Sequence, residues 1–568
     1  MHILHIMKQQ RDIVFVTFDA PRPDYPPMPY GIACLIASIR KAGFVASHLQ
    51  INTQAILAER NNISEYVGPI HSLAFQEYRK GIQNLVQAQL NANLDWLKKF
   101  RFVAFSYTRW SKLFCELAAE VLWSSGYVKD NPEEGGRIIF GGYEITAYDD
   151  DLLASLDMAH IFTKGYAERA YVDILLGKDG RSIENGKFYH RVYDGIIRDE
   201  DVVSPYLSGV LVPTSRKVYW ETKRGCPYNC GFCEWGAQKR NNRNEIVEFK
   251  WENRLSDELD LFRNSGVEEI NILDGTYCFS KGMKNHLVIL KNIFDNTDMK
   301  VVCQARFEGL KDEFVSLCVE NRDRIHLEFG LQTIHKTEED TIGRRNDLEL
   351  NSKRLGMLRD NKISYEVSLI YAIPGQTIYT FIDSIEYLLS FGCKRIRAFP
   401  LQIAANSELA KSNKYVLGRR NSDEMTRSVV ESSSFSEEES VDMDLLAQRL
   451  YGEPYERFYS SKETVRLCHR ETKISDRLYQ YSLSSEDING LSDEEIQLLV
   501  YLINRYFADR LSTDRLDFDH RKPQNYPIDK LKQSIIDYIN GDHDSVRCQV
   551  VLGQNGNFYI VPKRKKSK

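Results

Sequence analysis

Residues 224–236 read RGCPYNCGFCEWG and place Cys226, Cys230 and Cys233 at the spacing C-x3-C-x2-C. Thiolates are soft ligands that suit zinc or iron–sulfur clusters. A closed zinc site usually takes four ligands as two short Cys pairs, and the sequence holds no second pair. A [4Fe–4S] cluster held by three thiolates leaves one iron open to another ligand, as chemistry at the cluster requires. The loop therefore predicts an iron–sulfur centre, with a structural zinc loop as the alternative.

Around this loop, short apolar runs alternate with helical stretches. Six such repeats predict a partial (β/α)6 barrel over residues 213–410, and the cysteines follow its first strand. Active sites of parallel barrels lie at the C-terminal ends of the strands, which is where this loop would be. The predicted strands are 217–222, 268–273, 299–304, 325–331, 365–371 and 394–400.

With an aromatic residue just before its third cysteine, the loop resembles the signature of radical S-adenosylmethionine (SAM) enzymes, C-x3-C-x-aromatic-C. In that family the open iron binds SAM. Later strand ends resemble the family too, at ILDGT (272–276), EFGLQT (328–333), IPG (373–375) and FPLQI (399–403). The resemblance implies a [4Fe–4S] cluster on the three cysteines and SAM contacts at Phe232, Asp274, Gly275, Arg306, Glu328, Gln332, Pro374, Gly375 and Gln402.

The first part of the chain also alternates strands with helices. Buried strands are predicted at 13–18, 45–51, 102–106, 137–140 and 160–163, with helices at 30–42, 113–124 and 168–176. This order predicts an α/β, doubly wound, flavodoxin-like (Rossmann-like) domain over residues 1–176. Residues 177–212, of mixed charge with Gly and Pro, read as a linker.

The strand ends of this first domain resemble the cobalamin-binding domain that is fused to one large radical SAM class. The stretch PPMPYGIACLIASIRKAG (26–43) carries the resemblance, together with SYT (106–108), GGYE (141–144) and GYAE (165–168). No histidine has an Asp two residues before it, so the cobalt-ligating D-x-H-x-x-G motif is absent. A flavodoxin-like domain that binds another nucleotide, or none, is the alternative. The resemblance implies cobalamin contacts at Tyr30, Gly31, Ser106, Tyr107, Thr108, Gly141, Gly142, Tyr143, Gly165, Tyr166 and Glu168.

Composition excludes several classes of protein. The 568 residues carry a net charge of −5, which does not favour a nucleic-acid partner. There is no run of 18 apolar residues and no signal-peptide core near Met1, so we expect neither a membrane span nor secretion. The odd number of cysteines, 11, is unlike a secreted disulfide framework. We therefore expect a cytoplasmic protein.

Residues 411–568 resemble no family. They predict a mostly helical C-terminal domain that caps the active site, with an acidic, Ser-rich loop at 431–444, a hairpin at 550–561 and a basic tail.

Taken together, the resemblance implies a cobalamin-dependent radical SAM enzyme, foremost a methyltransferase. In such enzymes a 5′-deoxyadenosyl radical activates a carbon that then receives the methyl group of methylcobalamin. A small molecule or a peptide is the expected substrate, and an external one-electron reductant of the flavodoxin or ferredoxin type is the expected partner. Radical rearrangement, ring contraction or cyclisation without methyl transfer is the alternative. A methylthiotransferase is disfavoured because the remaining eight cysteines are dispersed.

Overall fold

A computed structural model gives the structure of the chain. It describes residues 11–19, 24–53, 73–129, 135–184, 189–196, 198, 201–213, 216–233, 235, 246–277, 283–405, 407, 409–412, 414–418, 427–450, 470–473, 478–483, 488–493, 496, 529, 532–533, 536, 546–552 and 558–562. Residues 54–72 and the basic tail predicted from the sequence lie outside the described residues.

The first sheet has seven strands in the order β2-β1-β3-β4-β5-β7-β6. All neighbours are parallel except the pair β6 and β7. This confirms the doubly wound α/β domain. The strands are β1 (Arg11–Asp19), β2 (Ala46–Asn52), β3 (Phe100–Ser106), β4 (Arg137–Gly141), β5 (Ile161–Gly165), β6 (Arg181–Glu184) and β7 (Tyr189–Gly195).

The central strand β1 shows why this sheet is covered on both faces. Its residues 13–18 are all buried, as expected for a parallel strand inside a doubly wound sheet. Val14 and Val16 belong to one hydrophobic cluster, whereas Ile13 and Phe15 belong to another on the opposite face. The helices of this domain are α1 (Tyr30–Lys41), α2 (Leu73–Asn91), α3 (Leu94–Leu97), α4 (Lys112–Ser124), α5 (Tyr143–Ala147), α6 (Asp150–Ala154) and α7 (Glu168–Leu175).

The stretch interpreted as a linker, 177–212, adds two strands, β6 and β7, to this sheet. Strand β7 pairs in parallel with β5, and β6 pairs with β7 in an antiparallel hairpin. Strand β6 is short and mostly exposed, and β7 alternates exposed with buried residues, so neither carries the continuous apolar run that marks the central strands. The sheet therefore extends through Gly195, beyond the boundary predicted at residue 176.

The second sheet has six strands in the order β15-β14-β13-β12-β11-β8. They follow each other in chain order, and the recorded pairs are parallel. An open sheet of this order is the partial (β/α)6 barrel that the sequence predicts. Its strands are β8 (Lys217–Trp220), β11 (Glu269–Tyr277), β12 (Lys300–Ala305), β13 (Ile325–Gln332), β14 (Ser364–Tyr371) and β15 (Ile396–Pro400).

Between these strands run helices and one small hairpin. The hairpin joins β9 (Lys223–Arg224) to β10 (Val247–Glu248). A π-helical turn, Trp251–Leu255, leads into the first of the helices. The helices are α8 (Ser256–Asn264), α9 (Met283–Asn296), α10 (Asp312–Glu320), α11 (Lys336–Ile342), α12 (Leu348–Asp360) and α13 (Ile378–Ser390).

The chain divides into two compact units. The first comprises Met1–Gly330, Glu339–Tyr365 and Leu401–Val430, and the second Leu331–Glu338, Glu366–Pro400 and Glu431–Lys568. The first unit thus contains the whole N-terminal sheet together with β8, β11, β12 and the cysteine loop.

The C-terminal region differs from its mostly helical expectation. The acidic stretch 431–444 is the end of strand β17 (Ser428–Ser432), which pairs with β16 (Tyr415–Gly418), and most of helix α14 (Glu437–Arg449). Three glutamates in the first turn of α14 favour helix there because they complement the helix dipole.

Further on, four antiparallel strands form a sheet in the order β18-β19-β20-β21. The predicted hairpin is present as β20 and β21, but its partners β18 and β19 fall where the sequence indicates helix. The strands are β18 (Arg470–Lys473), β19 (Leu478–Leu483), β20 (Val546–Leu552) and β21 (Phe558–Pro562). Across the described residues, no helix is both long and apolar enough to span a membrane.

Candidate functional site

The cysteine loop follows β8 and β9 in the first unit. Gly225, at φ 92°, turns the chain out of β9 immediately before the first cysteine. Cys230 is buried, Cys226 and Cys233 are half-buried, and none of the three forms a disulfide within the described residues. The backbone N–H of Cys233 donates to the carbonyl of Cys230 at 3.2 Å, which makes a tight turn between the second and third cysteines.

Two arginines, Arg344 and Arg306, lie beside this loop. Arg344 is 8% exposed, its Nη1 lies 4.0 Å from the Cys230 Sγ, and its Nη2 donates to the carbonyl of Gly330. Its buried Nε has no hydrogen-bond partner within the described part of the chain. Burial raises the pKa of the Cys226 thiol, and the positive charges of Lys223 and Arg306 oppose that rise. A negatively charged cluster at the cysteines would compensate the buried positive charge of Arg344. Its sulfur atoms would also accept a hydrogen bond from the unpartnered Nε–H of Arg344.

No three Cys, His, Asp or Glu side chains among the described residues converge as ligands of a single metal ion would. The thiolates of a cubane cluster bind separate iron atoms, so such ligands need not converge on one point. The cysteine assignment therefore stays a prediction, which the loop geometry and the neighbouring charges support.

The predicted SAM contact Asp274 has a different role in this structure. Its carboxylate is 1% exposed and accepts from Thr222 N at 2.9 Å, Thr222 Oγ1 at 2.6 Å and Lys223 N at 3.2 Å. These bonds tie β11 to the segment that leads into the cysteine loop. Asp274 thus has a structural role in this structure, and a contact with SAM stays a prediction.

Gly275, the next predicted SAM contact, makes room for an aromatic ring. A Cβ at this position would lie 2.9 Å from Cδ2 of Trp235, which is closer than side chains pack. Trp235 follows the third cysteine by two residues, and its ring centre is 6.2 Å from that of Tyr143. Glycine is therefore required on β11 because the indole lies directly against the strand.

The remaining predicted SAM contacts in the first unit lie near the loop but differ in their partners. Arg306 donates twice to Glu308, at 2.9 and 3.1 Å, and its guanidinium lies 3.9 Å from the ring centre of Tyr228. Glu328 is half-buried on β13, in register with Gln304 of β12. Phe232 and Gln402 both accept hydrogen bonds from Arg109.

In the second unit, the predicted contacts Gln332, Pro374 and Gly375 lie at strand ends. Gln332 closes β13 at φ 73°, a left-handed conformation that is costly for a residue with a side chain and that clusters at functional sites. Gly375, at φ 98°, donates its N–H to Ser434 Oγ at 2.9 Å. The buried Gln376 holds this turn, since its Oε1 accepts from Ile373 N at 3.3 Å.

A cavity of about 480 Å³ opens in the first unit at the C-terminal ends of β1, β3, β4 and β5. Backbone glycines line it, and at Gly31 an added Cβ would meet nothing within 4 Å. Ten of the eleven predicted cobalamin contacts line this cavity: Tyr30, Gly31, Ser106, Thr108, Gly141, Gly142, Tyr143, Gly165, Tyr166 and Glu168.

The eleventh, Tyr107, points the other way. It is 1% exposed, belongs to the hydrophobic core, and its hydroxyl donates to Glu116 at 2.5 Å. Burial and the nearby Glu116 charge raise the pKa of Tyr107 far above its usual value. Successive residues of an extended chain face opposite sides, so its neighbours Ser106 and Thr108 reach the cavity and Tyr107 does not.

Charged groups form one side of the cavity. Arg224, 3% exposed, pairs with Glu168 at 2.5 Å and with Glu221 at 2.8 Å, and its guanidinium lies 5.1 Å from the ring centre of Tyr166. Burial raises the pKa of Glu221, and the positive charge of Arg224 opposes that rise. Arg224 precedes Cys226 by two residues, so this ion-pair network connects the cavity to the cysteine loop.

The curated proteins that resemble the chain match part of it. TokK of Streptomyces tokunonensis, described as a cobalamin-dependent radical SAM methyltransferase, is 28% identical over 228 residues, or 37% of this chain and 32% of TokK. The 2-(S-pantetheinyl)-carbapenam-3-carboxylate methyltransferase of Streptantibioticus cattleyicolor is 27% identical over 164 residues, or 25% of this chain and 24% of that protein. The chain thus spans about a third or less of these relatives. No family model matches it.

Among solved structures, the cobalamin-dependent SAM radical enzyme OxsB with aqua-cobalamin bound superposes with a TM-score of 0.51. The match covers 90% of this chain and 74% of OxsB at 12% identity, and it establishes the fold alone. In sequence and fold, the chain is similar to cobalamin-dependent radical SAM enzymes.

Several residues of this site were missed from the sequence. Trp110, Asn271 and Gln304 line the cavity, and Arg109 lies beside it with contacts to the cysteine loop. Trp110 directly follows Arg109, just after the SYT motif. Asn271 shares the alternation of β11 with Gly275, so the period-two pattern could have placed it on the same face.

Proposed function

We propose that the chain is a cobalamin-dependent radical SAM methyltransferase that acts on a carbon of a small-molecule or peptide substrate. The observation that carries the proposal is the arrangement in the first unit. There, one cavity is lined both by the strand ends of the N-terminal sheet and by β11, β12 and the tryptophan of the three-cysteine loop.

The residues fit a thiolate-bound cluster. Cys226, Cys230 and Cys233 supply three soft ligands, and Arg344 brings a buried positive charge and an unpartnered N–H to their side. We propose these three cysteines as the ligands of a [4Fe–4S] cluster. When bound, the cluster and SAM would supply the radical, and cobalamin the methyl group.

The cavity fits a flat, amide-rich ring such as a corrin. Gly31, Gly141, Gly142 and Gly165 let backbone approach a large planar group, and a row of hydroxyls and amides offers hydrogen bonds to its rim. Ser106, Asn271 and Gln304 supply these polar groups, whereas the hydroxyls of Thr108, Thr146 and Thr163 are already hydrogen-bonded within the protein.

The residues of the chain orient these groups and restrict water. Trp235 packs on Gly275 and lines the cavity beside the cysteine loop, so its indole occupies space there that water would otherwise fill. The Arg224 ion pairs fix the segment that enters the loop, which holds the reacting groups close together.

We also propose the setting in which this enzyme works. Its reduced thiols fit a cytoplasmic location, and reduction of the cluster requires an external one-electron donor of the flavodoxin or ferredoxin type.

The test is anaerobic reconstitution of the full chain. We expect about four irons and four sulfides per chain, and loss of both together with SAM cleavage when the three loop cysteines are changed to Ala. Cys318→Ala, which removes another buried free thiol, should retain the cluster. A triple variant that still reductively cleaves SAM contradicts the proposal. With methyl-labelled SAM, product that carries the label distinguishes methyl transfer from rearrangement.

A further inference from the structure

Arg109 follows β3 and reaches three separate segments of the first unit. Its Nε donates to Glu144 at 3.2 Å, its Nη1 to the Gln402 side chain at 3.3 Å and its Nη2 to the carbonyl of Phe232 at 3.4 Å. The side chain is 11% exposed, so these partners replace most of the water around the guanidinium.

Two of these partners belong to the two halves of the candidate site. Phe232 lies between Cys230 and Cys233, so its carbonyl moves with the cysteine loop. Glu144 directly follows Gly142 and Tyr143, which line the cavity. One rigid, planar cation therefore joins the cysteine loop to the turn that shapes the cavity wall.

A second contact also connects the cysteine loop to the turn at residues 143–144. The ring of Tyr143 lies against that of Trp235, with 6.2 Å between ring centres and an angle of 60°. A displacement of the cysteine loop therefore acts on residues 143–144 through both an aromatic contact and the Arg109 hydrogen bonds.

On the basis of the proposed function, we propose that Arg109 is a positioning residue that couples occupancy of the cysteine loop to cobalamin binding in the cavity. Cluster binding fixes the Phe232 carbonyl, Arg109 passes this constraint to Glu144, and the cavity wall is held in its binding conformation. By linkage, cobalamin binding should tighten the hold on the cluster by the same factor.

The test compares hydroxocobalamin affinity with and without the cluster, in the full chain. Affinity is measured by quenching of tryptophan fluorescence, for the reconstituted protein and for protein stripped of iron by a chelator. In the unmodified chain we expect the cluster to tighten binding by about 5-fold or more, which is typical of coupled sites. In Arg109→Gln this ratio should fall to within about twofold of one, and in Arg109→Lys it should be intermediate, because an ammonium cannot span three partners.

The matched control is Arg101→Gln, which removes the same charge from an exposed position of β3 and should keep the ratio of the unmodified chain. If Arg109→Gln does not fold, Glu144→Gln decides, since it removes the ion pair and keeps the shape of the side chain. An unmodified ratio near one, or a ratio that survives in the variant that decides, overturns the coupling while leaving the proposed function intact. Failure of the unmodified chain to bind hydroxocobalamin overturns both.

Discussion

At the scale of single residues, the three hydrogen bonds accepted by Asp274 predict a loss of stability when its carboxylate is removed. Asp274→Asn should lower the free energy of unfolding by about 1–3 kcal/mol, because an amide N–H would face a buried donor that now has an acceptor. All three donors come from Thr222 and Lys223 at the entrance to the cysteine loop, so iron retention should fall as well. Urea unfolding measures the first effect and iron analysis the second.

The control for this change is Asp298→Asn, at an exposed position, which should alter stability by less than about 0.5 kcal/mol. Equal stability of the two variants would show that the Asp274 carboxylate is not a structural acceptor.

The same scale shows what the sequence could and could not predict about the site. The motifs lie at strand ends, and ten of the eleven predicted cobalamin contacts line one cavity. Tyr107 and Asp274 are instead buried, with their side chains bonded within the protein. A motif specifies a strand end, whereas the alternation of the strand decides which of its residues faces the cavity.

At the scale of elements, two histidines make the first sheet sensitive to acid. His48 of β2 hydrogen-bonds Thr17 of β1 at 2.8 Å, and His160, just before β5, accepts the N–H of Ile138 of β4 at 3.1 Å. Burial lowers the pKa of each to about 4, and positive charges nearby add to the effect at His160. The unfolded chain, with a pKa near 6.5, therefore takes up protons that the folded chain does not between about pH 6.5 and 4.

The contribution of these two histidines to the stability of the folded chain is therefore fully present above about pH 6.5, and it is lost as the pH falls through this window. We expect His160→Asn, which keeps an acceptor for Ile138, to reduce the loss of stability between pH 7 and 5 by on the order of 1 kcal/mol. Urea unfolding at both pH values measures this. An unchanged loss in the variant would mean that His160 does not contribute.

Elements differed in how well the sequence predicted them. The parallel strands of both sheets, except β7, were found within a few residues of their ends, and the most buried of them carry dense apolar runs, such as IVFVTF in β1. Strand β19 (Leu478–Leu483) was missed although it alternates Tyr with polar residues. Its nearby partner β18 has only four residues, and its other partner β20 lies more than 60 residues away in sequence, so its pairing leaves little local signal.

At the scale of the whole molecule, no histidine among the described residues lines the cavity that we propose for cobalamin. The cavity lining contains Tyr, Trp, Thr, Asn and Gln side chains but no His, Cys or Met among them. His48, His160 and His286, all in the first unit, are held by core contacts, and burial keeps their pKa values at about 3 to 4.

Cobinamide, the corrin without its nucleotide base, tests this directly because any nitrogen on its cobalt must come from the protein. We expect the electron paramagnetic resonance spectrum of cob(II)inamide bound to the full chain to show no nitrogen superhyperfine splitting. The spectrum should also be the same in His→Ala variants at each of the 12 histidines, including those outside the described residues. Free cob(II)alamin, whose own base supplies an axial nitrogen, is the positive control for detecting the splitting. A split signal that one His→Ala change removes would identify a histidine ligand, and would show that cobalt is held by a residue that neither the strand-end motifs nor the cavity lining contains.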